Sequence, residues 1–389
     1  MTLTEHKHIL IHVHIFKNAG SSFDSTLLSN FKDNFVDHRE DTLIRENKNF
    51  LNTYLKVHTH IQAFSSHSIY YTPQSNESFH FHPVYFLRHP IERIKSVYSF
   101  EKKQPQEDSS GAQMAKKLDF ESYIQWRMQK ESPATIRNLQ TIFLAGIGAN
   151  PNDIKKKFDM AMQRIKESPL IGIVDRYDES MVVFEAHLED FFPHVDLSYI
   201  RKNVTDTNLT ASVDEKAYTL LQNLSPVLRE IVEKENTFDL ALYNESNNVL
   251  DRRIEFIKNF ETKLSDFRIR CKVKELRIDM KEKNYRKVIN ICEDLLLQNK
   301  NNLHLNLLNI ESLYKIQDYD KSLIQCEYII TKYHKNPWAY FYQIEIYLIL
   351  EKKERAKEIY QKILLDFQNN PKNLQLILEQ DFSKILNFN

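Results

Sequence analysis

The sequence predicts an α/β fold, a P-loop-like parallel β-sheet flanked by helices, followed by an all-α helical-repeat domain. Two apolar runs, each leading into a polar turn and a helical pattern, predict the first part. A 34-residue periodicity after about residue 260 predicts the second.

The first run is His8-Ile-Leu-Ile-His-Val-His-Ile-Phe16, followed by Lys17-Asn-Ala-Gly-Ser-Ser22. Ile9, Leu10, Ile11, Val13, Ile15 and Phe16 suit a strand buried on both faces. The small, hydroxyl-bearing turn after it lets backbone amides meet a phosphate at a helix start. The Walker A order is absent: Lys17 precedes Gly20 by three positions instead of following a second glycine. A lysine at the strand end reaches the bridging oxygen of a leaving phosphate, while Gly20, Ser21 and Ser22 hold its outer oxygens.

The second run, Pro83-Val-Tyr-Phe-Leu-Arg88-His-Pro90, makes a short strand over Val84–Leu87 and starts a helix at Pro90. Arg88 therefore falls at a strand's C-terminal edge, where open α/β sheets bind ligands. Arg93, Ser96 and Phe100 share one face of the helix. An arginine and a serine from one strand–helix unit suit a second phosphate, because the guanidinium fork matches phosphate bidentately.

Lys17-Asn-Ala-Gly-Ser-Ser22 and Phe86-Leu-Arg88-His-Pro-Ile-Glu-Arg-Ile-Lys-Ser96 resemble the 5′-phosphosulfate loop and the 3′-phosphate motif of sulfotransferases. The resemblance is to the branch containing heparan sulfate 2-O-sulfotransferases and bacterial carbohydrate sulfotransferases. It continues more weakly through Asn138–Gly146, Ile171–Ser180 and Phe238–Tyr243, spanning about residues 8–250. Phe16 stands where the family usually has proline, and Asn18 where threonine is commoner. The resemblance implies 3′-phosphoadenosine-5′-phosphosulfate (PAPS) as donor, PAP as product and a hydroxyl-bearing acceptor, expected to be a glycan. It implies that Lys17, Asn18, Ala19, Gly20, Ser21 and Ser22 bind the 5′-phosphosulfate, that Arg88 and Ser96 bind the 3′-phosphate, and that Lys17 stabilises the leaving phosphate.

For the base that activates the acceptor, Lys56-Val-His58-Thr-His60 offers two imidazoles. In a strand they point to one face, and the resembling 2-O-sulfotransferases carry His-x-His there. His6/His8, His12/His14, His58/His60 and His80/His82 are each spaced as a metal-ligand pair. No metal is expected, since sulfuryl transfer does not require one and no His-Glu-x-x-His or Cys-x-x-Cys accompanies them. Two other classes stay open: an ATP-dependent phosphotransferase, opposed by the missing Walker A, and a non-catalytic nucleotide-binding docking protein that acts through its repeats.

Polar residues 101–119 read as a mobile loop, and Leu170–Val174 as a further short strand with a helix over about Asp178–Phe191. The expected domains are 1–260 and 261–389. In the second, Val288, Ser322 and Ala356 keep the 34-residue step, as do Cys292, Cys326 and Tyr360, and Pro337 and Pro371. Such a helix–turn–helix unit resembles the tetratricopeptide repeat and implies a protein partner in its groove.

Lys+Arg and Asp+Glu both number 53, so zero net charge argues against nucleic acid as a partner. The 3 cysteines, Cys271, Cys292 and Cys326, read as small core residues, not a disulfide framework. With no signal-like start and no apolar stretch of membrane length, the expectation is a cytoplasmic enzyme without membrane insertion.

Overall fold

The computed structural model describes residues 6–39, 42–70, 73–104, 109–146, 153–200, 211–333, 336–380 and 382. The chain divides into two compact units, Met1–Ile269 and Arg270–Asn389.

The first unit is built on a parallel five-stranded sheet of order β2-β3-β1-β4-β5. Its strands are β1 (Lys7–Val13), β2 (Phe35–Asp37), β3 (Ala63–Ser66), β4 (Phe79–Leu87) and β5 (Leu170–Ile173). As the apolar run requires, Ile9, Leu10 and Ile11 are fully buried in the centre of the sheet. β4 begins before Val84 and takes in His80 and His82, because pairing with β1 starts at Lys7↔Phe79.

Helices α1 (Gly20–Phe31), α2 (Thr42–Glu46) and α3 (Phe50–Val57) link β1 to β3, and α4 (Pro90–Lys103) follows β4. Then come α5 (Ser110–Lys117), α6 (Phe120–Arg127), α7 (Leu139–Ala145) and α8 (Ile154–Glu167). After β5 the chain forms α9 (Tyr177–Leu188), α10 (Val213–Gln222), α11 (Pro226–Glu235), α12 (Thr237–Glu255) and α13 (Phe260–Lys281). Phe23 of α1 and Phe184 of α9 meet edge-on over Phe86 of β4, and this aromatic group seals one face of the sheet.

The expected loop over 101–119 is largely helical, ending α4 and forming α5, while residues 105–108 lie outside the described residues. Ser109 caps α5 by accepting from the Ala112 amide, and Ala112 and Ala115 are fully buried. Two small apolar residues at helical spacing thus decide the segment despite its polar composition. The end of α4 is tied to α6 by a buried network. Arg127 Nη2 pairs with Glu101 Oε1 at 2.5 Å, and Tyr123 OH donates to Glu101 Oε2 at 2.5 Å.

Among its described residues the second unit is all helical: after the end of α13 come α14 (Tyr285–Gln298), α15 (Leu303–Lys315), α16 (Tyr319–Lys332), α17 (Trp338–Ile349), α18 (Lys353–Phe367) and α19 (Pro371–Glu379). Its backbone repeats with the step seen in the sequence. Lys283, Gln317 and Glu351 each adopt a left-handed conformation, with φ of 64°, 66° and 58°. The next amide in each case, of Asn284, Asp318 or Lys352, closes a turn onto the carbonyl of Asp279, Leu313 or Tyr347. Val288, Ser322 and Ala356 are fully buried at equivalent positions, where only modest side chains let the helices approach. Among the described residues no helix is long and apolar enough to cross a membrane.

Candidate functional site

The turn after β1 is held in an unusual conformation. Lys17 and Ala19 both have left-handed backbones, φ 64° and 60°, although neither is glycine. Non-glycine residues reach this region at a cost of about 1–2 kcal/mol each, so surrounding structure must enforce it. The enforcement comes from Asn18, whose buried amide donates to the Phe86 carbonyl and to Gln140 Oε1, both at 2.7 Å. The left-handed backbones of Lys17 and Ala19 flank Asn18, whose own amide closes a turn onto the Ile15 carbonyl at 3.2 Å, and shape a small nest that leads directly into the N-terminus of α1, where helix-terminal amides favour an anion. No acidic side chain occupies the first turn of α1. A Cβ at Gly20 would stand 1.9 Å from His14 Nε2, so any larger residue there would have to displace that buried ring.

Gln140 also joins this turn to the one after β4. Its Oε1 accepts from the Arg88 amide and its Nε2 donates to the Arg88 carbonyl, both at 2.9 Å. Gln140 is placed in turn by reciprocal caps between α7 and α12. Asp239 Oδ1 accepts from the Thr141 amide at 2.7 Å and Oδ2 from the Gln140 amide at 3.1 Å. Asn138 Oδ1 accepts from the Phe238 and Asp239 amides. Burial raises the Asp239 carboxyl above the usual carboxylate value, against the pull of Arg93 and the Thr141 amide.

The cationic side chains converge on this frame. Lys17 Nζ lies 4.3 Å from the centre of the Phe100 ring. Burial lowers the Lys17 ammonium below the usual lysine value, and repulsion from Arg88 and Lys103 lowers it further. Mutual repulsion among cations at a helix N-terminus is what an anion would relieve. Arg93 is buried against the Phe16 and Thr135 carbonyls and supports the loop from behind. Ser96 is half-buried on the same helix as Arg93.

The structure thus brings Lys17, Asn18, Ala19, Gly20, Ser21 and Ser22 into one strand–turn–helix unit, with Arg88 and Ser96 on the neighbouring one. It does not bring His58 and His60 there, which corrects the expectation of a strand-borne base. His58 caps the C-terminus of α3 and His60 lies in the turn before β3. Their turn is pinned at the N-terminal end of the strands, since Lys7, at the start of β1, donates to the Thr59 carbonyl. The length of β1 separates that end from Lys17, roughly 20 Å at 3.3 Å per residue.

Beside His14, which abuts Gly20, a second imidazole lies next to the loop: His67, immediately after the C-terminal end of β3. The Ser66 carbonyl accepts from the His14 amide at 3.1 Å, and His67 Nδ1 stands 2.9 Å from the His14 carbonyl. A carbonyl only accepts, so Nδ1 carries a proton, and in the neutral ring Nε2 then holds the lone pair. The His67 and His14 rings lie 3.8 Å apart. Behind them, Asp24 Oδ1 is 2.6 Å from His12 Nδ1 and Oδ2 is 3.0 Å from His14 Nδ1. Burial opposes the charge on Asp24, but His12 and His14 outweigh it and hold the carboxyl well below its usual range.

Sequence reading missed His67 because Ala63-Phe64-Ser65-Ser66 is short and half polar. Its signal is a β-compatible run ending in histidine. Asn138, Gln140 and Asp239 lay inside stretches that resembled the family, without an assigned role.

Comparison with known proteins assigns the family. An uncharacterized protein of Archaeoglobus fulgidus is 33% identical over 202 residues, which cover 50% of this chain and 79% of that protein. No solved structure gives a significant match. The model of the sulfotransferase family matches residues 1–244, taking in the nest, Arg88, Ser96, His67 and Asp239, and the chain therefore belongs to the sulfotransferase family.

Proposed function

We propose that this sulfotransferase takes its sulfuryl group from PAPS and delivers it to a carbohydrate hydroxyl. The observation that carries the reading is the nest at Lys17–Ala19, opened at a helix N-terminus and locked through Asn18 and Gln140 to the Arg88 turn. One phosphate position at the nest and a second at Arg88 and Ser96 suit a nucleotide with phosphates on both sides of its ribose.

In this reading His67 Nε2 takes the acceptor proton as the acceptor oxygen bonds to sulfur. The bond between sulfur and the bridging oxygen breaks, and PAP departs with the electron pair on its 5′-phosphate. Lys17 and the nest amides stabilise that charge, as in other in-line transfers from phosphate. The glycan class rests on the resemblance of the Lys17 and Arg88 motifs to carbohydrate sulfotransferases, and we place the reaction in the cytoplasm, where the donor is made. The second unit, by its 34-residue repeat, is read as a tetratricopeptide-like domain that recruits a protein partner.

Thermal unfolding with PAP, ADP and ATP–magnesium tests the donor, because a ligand that binds only the native state raises Tm. PAP is expected to raise it most. A larger rise with ATP–magnesium would replace this reading with a phosphotransferase.

A further inference from the structure

The N-terminal ends of β1 and β4, remote from the nest, hold a second concentration of chemistry-bearing groups. β1 and β4 pair in parallel with His8 opposite His80, so His8, His80 and His82 project from one face of the sheet. A nitrogen of each lies within 4.8 Å of the other two. His8 Nδ1 and His82 Nε2 are 2.9 Å apart, and the His80 and His82 rings are 4.8 Å apart. In a tetrahedral zinc site with Zn–N near 2.0–2.1 Å, ligand nitrogens stand about 3.4 Å apart. Small side-chain rotations would reach that spacing without moving the strands.

The surroundings suit a metal. Phe191 covers one side, 4.8 Å from His8 and 4.6 Å from His82, and the His187 ring of α9 lies 6.1 Å from that of His82. His82 is buried, His8 half-buried and His80 exposed, which leaves an entry path on the His80 side. A second cluster of His12, His14 and Asp24 is buried throughout, and its Nδ1 atoms face the Asp24 carboxylate.

We propose that His8, His80 and His82 bind one zinc-class divalent transition metal that clasps the N-terminal ends of β1 and β4, with water in the open fourth position. An all-imidazole set selects zinc, nickel or copper over magnesium or calcium, which prefer oxygen. Neither residue pair in the sequence supplies this set alone. It forms because parallel register sets His8 beside His80.

The test uses the full chain, freed of metal by chelator, titrated with zinc chloride by calorimetry and followed by Tm. One zinc per chain and a raised Tm are expected. His80→Ala and His8→Ala should each weaken zinc binding by roughly tenfold or more. Because His80 is exposed, its variant should keep the Tm of the metal-free wild type, separating lost ligation from lost folding. Substoichiometric zinc, or undiminished affinity in both variants, would overturn the proposal. So would zinc lost only in His14→Ala, which would move the metal to the second cluster.

Discussion

Lys17 combines a left-handed backbone with an ammonium that burial and the nearby Arg88 both disfavour, an arrangement that an anion beside it would stabilise. Lys17→Ala should cut turnover by about 100-fold or more while changing PAP affinity far less, a split read from kcat against Kd. His67→Ala should lower turnover by roughly 10²–10⁴, the range for loss of a general base. His58→Ala and His60→Ala should leave it within twofold or so, and a large loss there would restore them as the base. Asp24 gives a pH-dependent signature. Its folded carboxyl titrates below the usual carboxylate value, so its stabilisation is complete above an unfolded pKa of about 3.9 and fades as pH falls through the folded value. Asp24→Asn should therefore destabilise by about 2 kcal/mol near pH 7, with the gap to wild type closing in acid. A gap that widened in acid would reverse the sign of this account.

At the scale of elements, the site depends on helices that contribute no ligand. α7 and α12 cap one another through Asn138 and Asp239, and Gln140 at the start of α7 carries that order into both phosphate turns. Asn138→Ala should cost about 1–2 kcal/mol in unfolding free energy, as for a lost N-cap. PAP affinity should fall with it although Asn138 touches no phosphate, which calorimetry would check. β1, the nest and the Arg88 turn were legible in the sequence because their cues are local: a buried apolar run, a small-residue turn, a proline opening a helix. The Asn18–Gln140–Asp239 chain was not, since its members lie about a hundred residues apart and meet only through the fold. His58 and His60 misled for a related reason. Their alternate spacing fits a strand, but α3 runs to Val57 and β3 starts only at Ala63, so the pair falls in the intervening turn.

Across the whole molecule, the parallel sheet flanked by helices and the helical region after it follow from patterns that extend over many residues. The 34-residue step was visible in side chains, and the structure shows it again in the backbone at Lys283, Gln317 and Glu351. Cys271, Cys292 and Cys326 are all buried, and burial pushes the Cys292 thiol up to about 12. The native chain should thus leave its thiols unmodified by a thiol reagent that labels 3 per chain after denaturation. Rapid labelling of the native chain would show that these helices open. What the sequence could not give is the acceptor surface, which depends on side chains converging from separate elements.

The central claim, a donor site built for a nucleotide with a 3′-phosphate, is tested most directly by calorimetric titration with PAP of the wild type beside Arg88→Ala. The account predicts one site of about micromolar affinity, weakened tenfold or more by the substitution, as expected for a lost guanidinium–phosphate contact. Absent PAP binding, or binding that Arg88→Ala leaves unchanged, would contradict it.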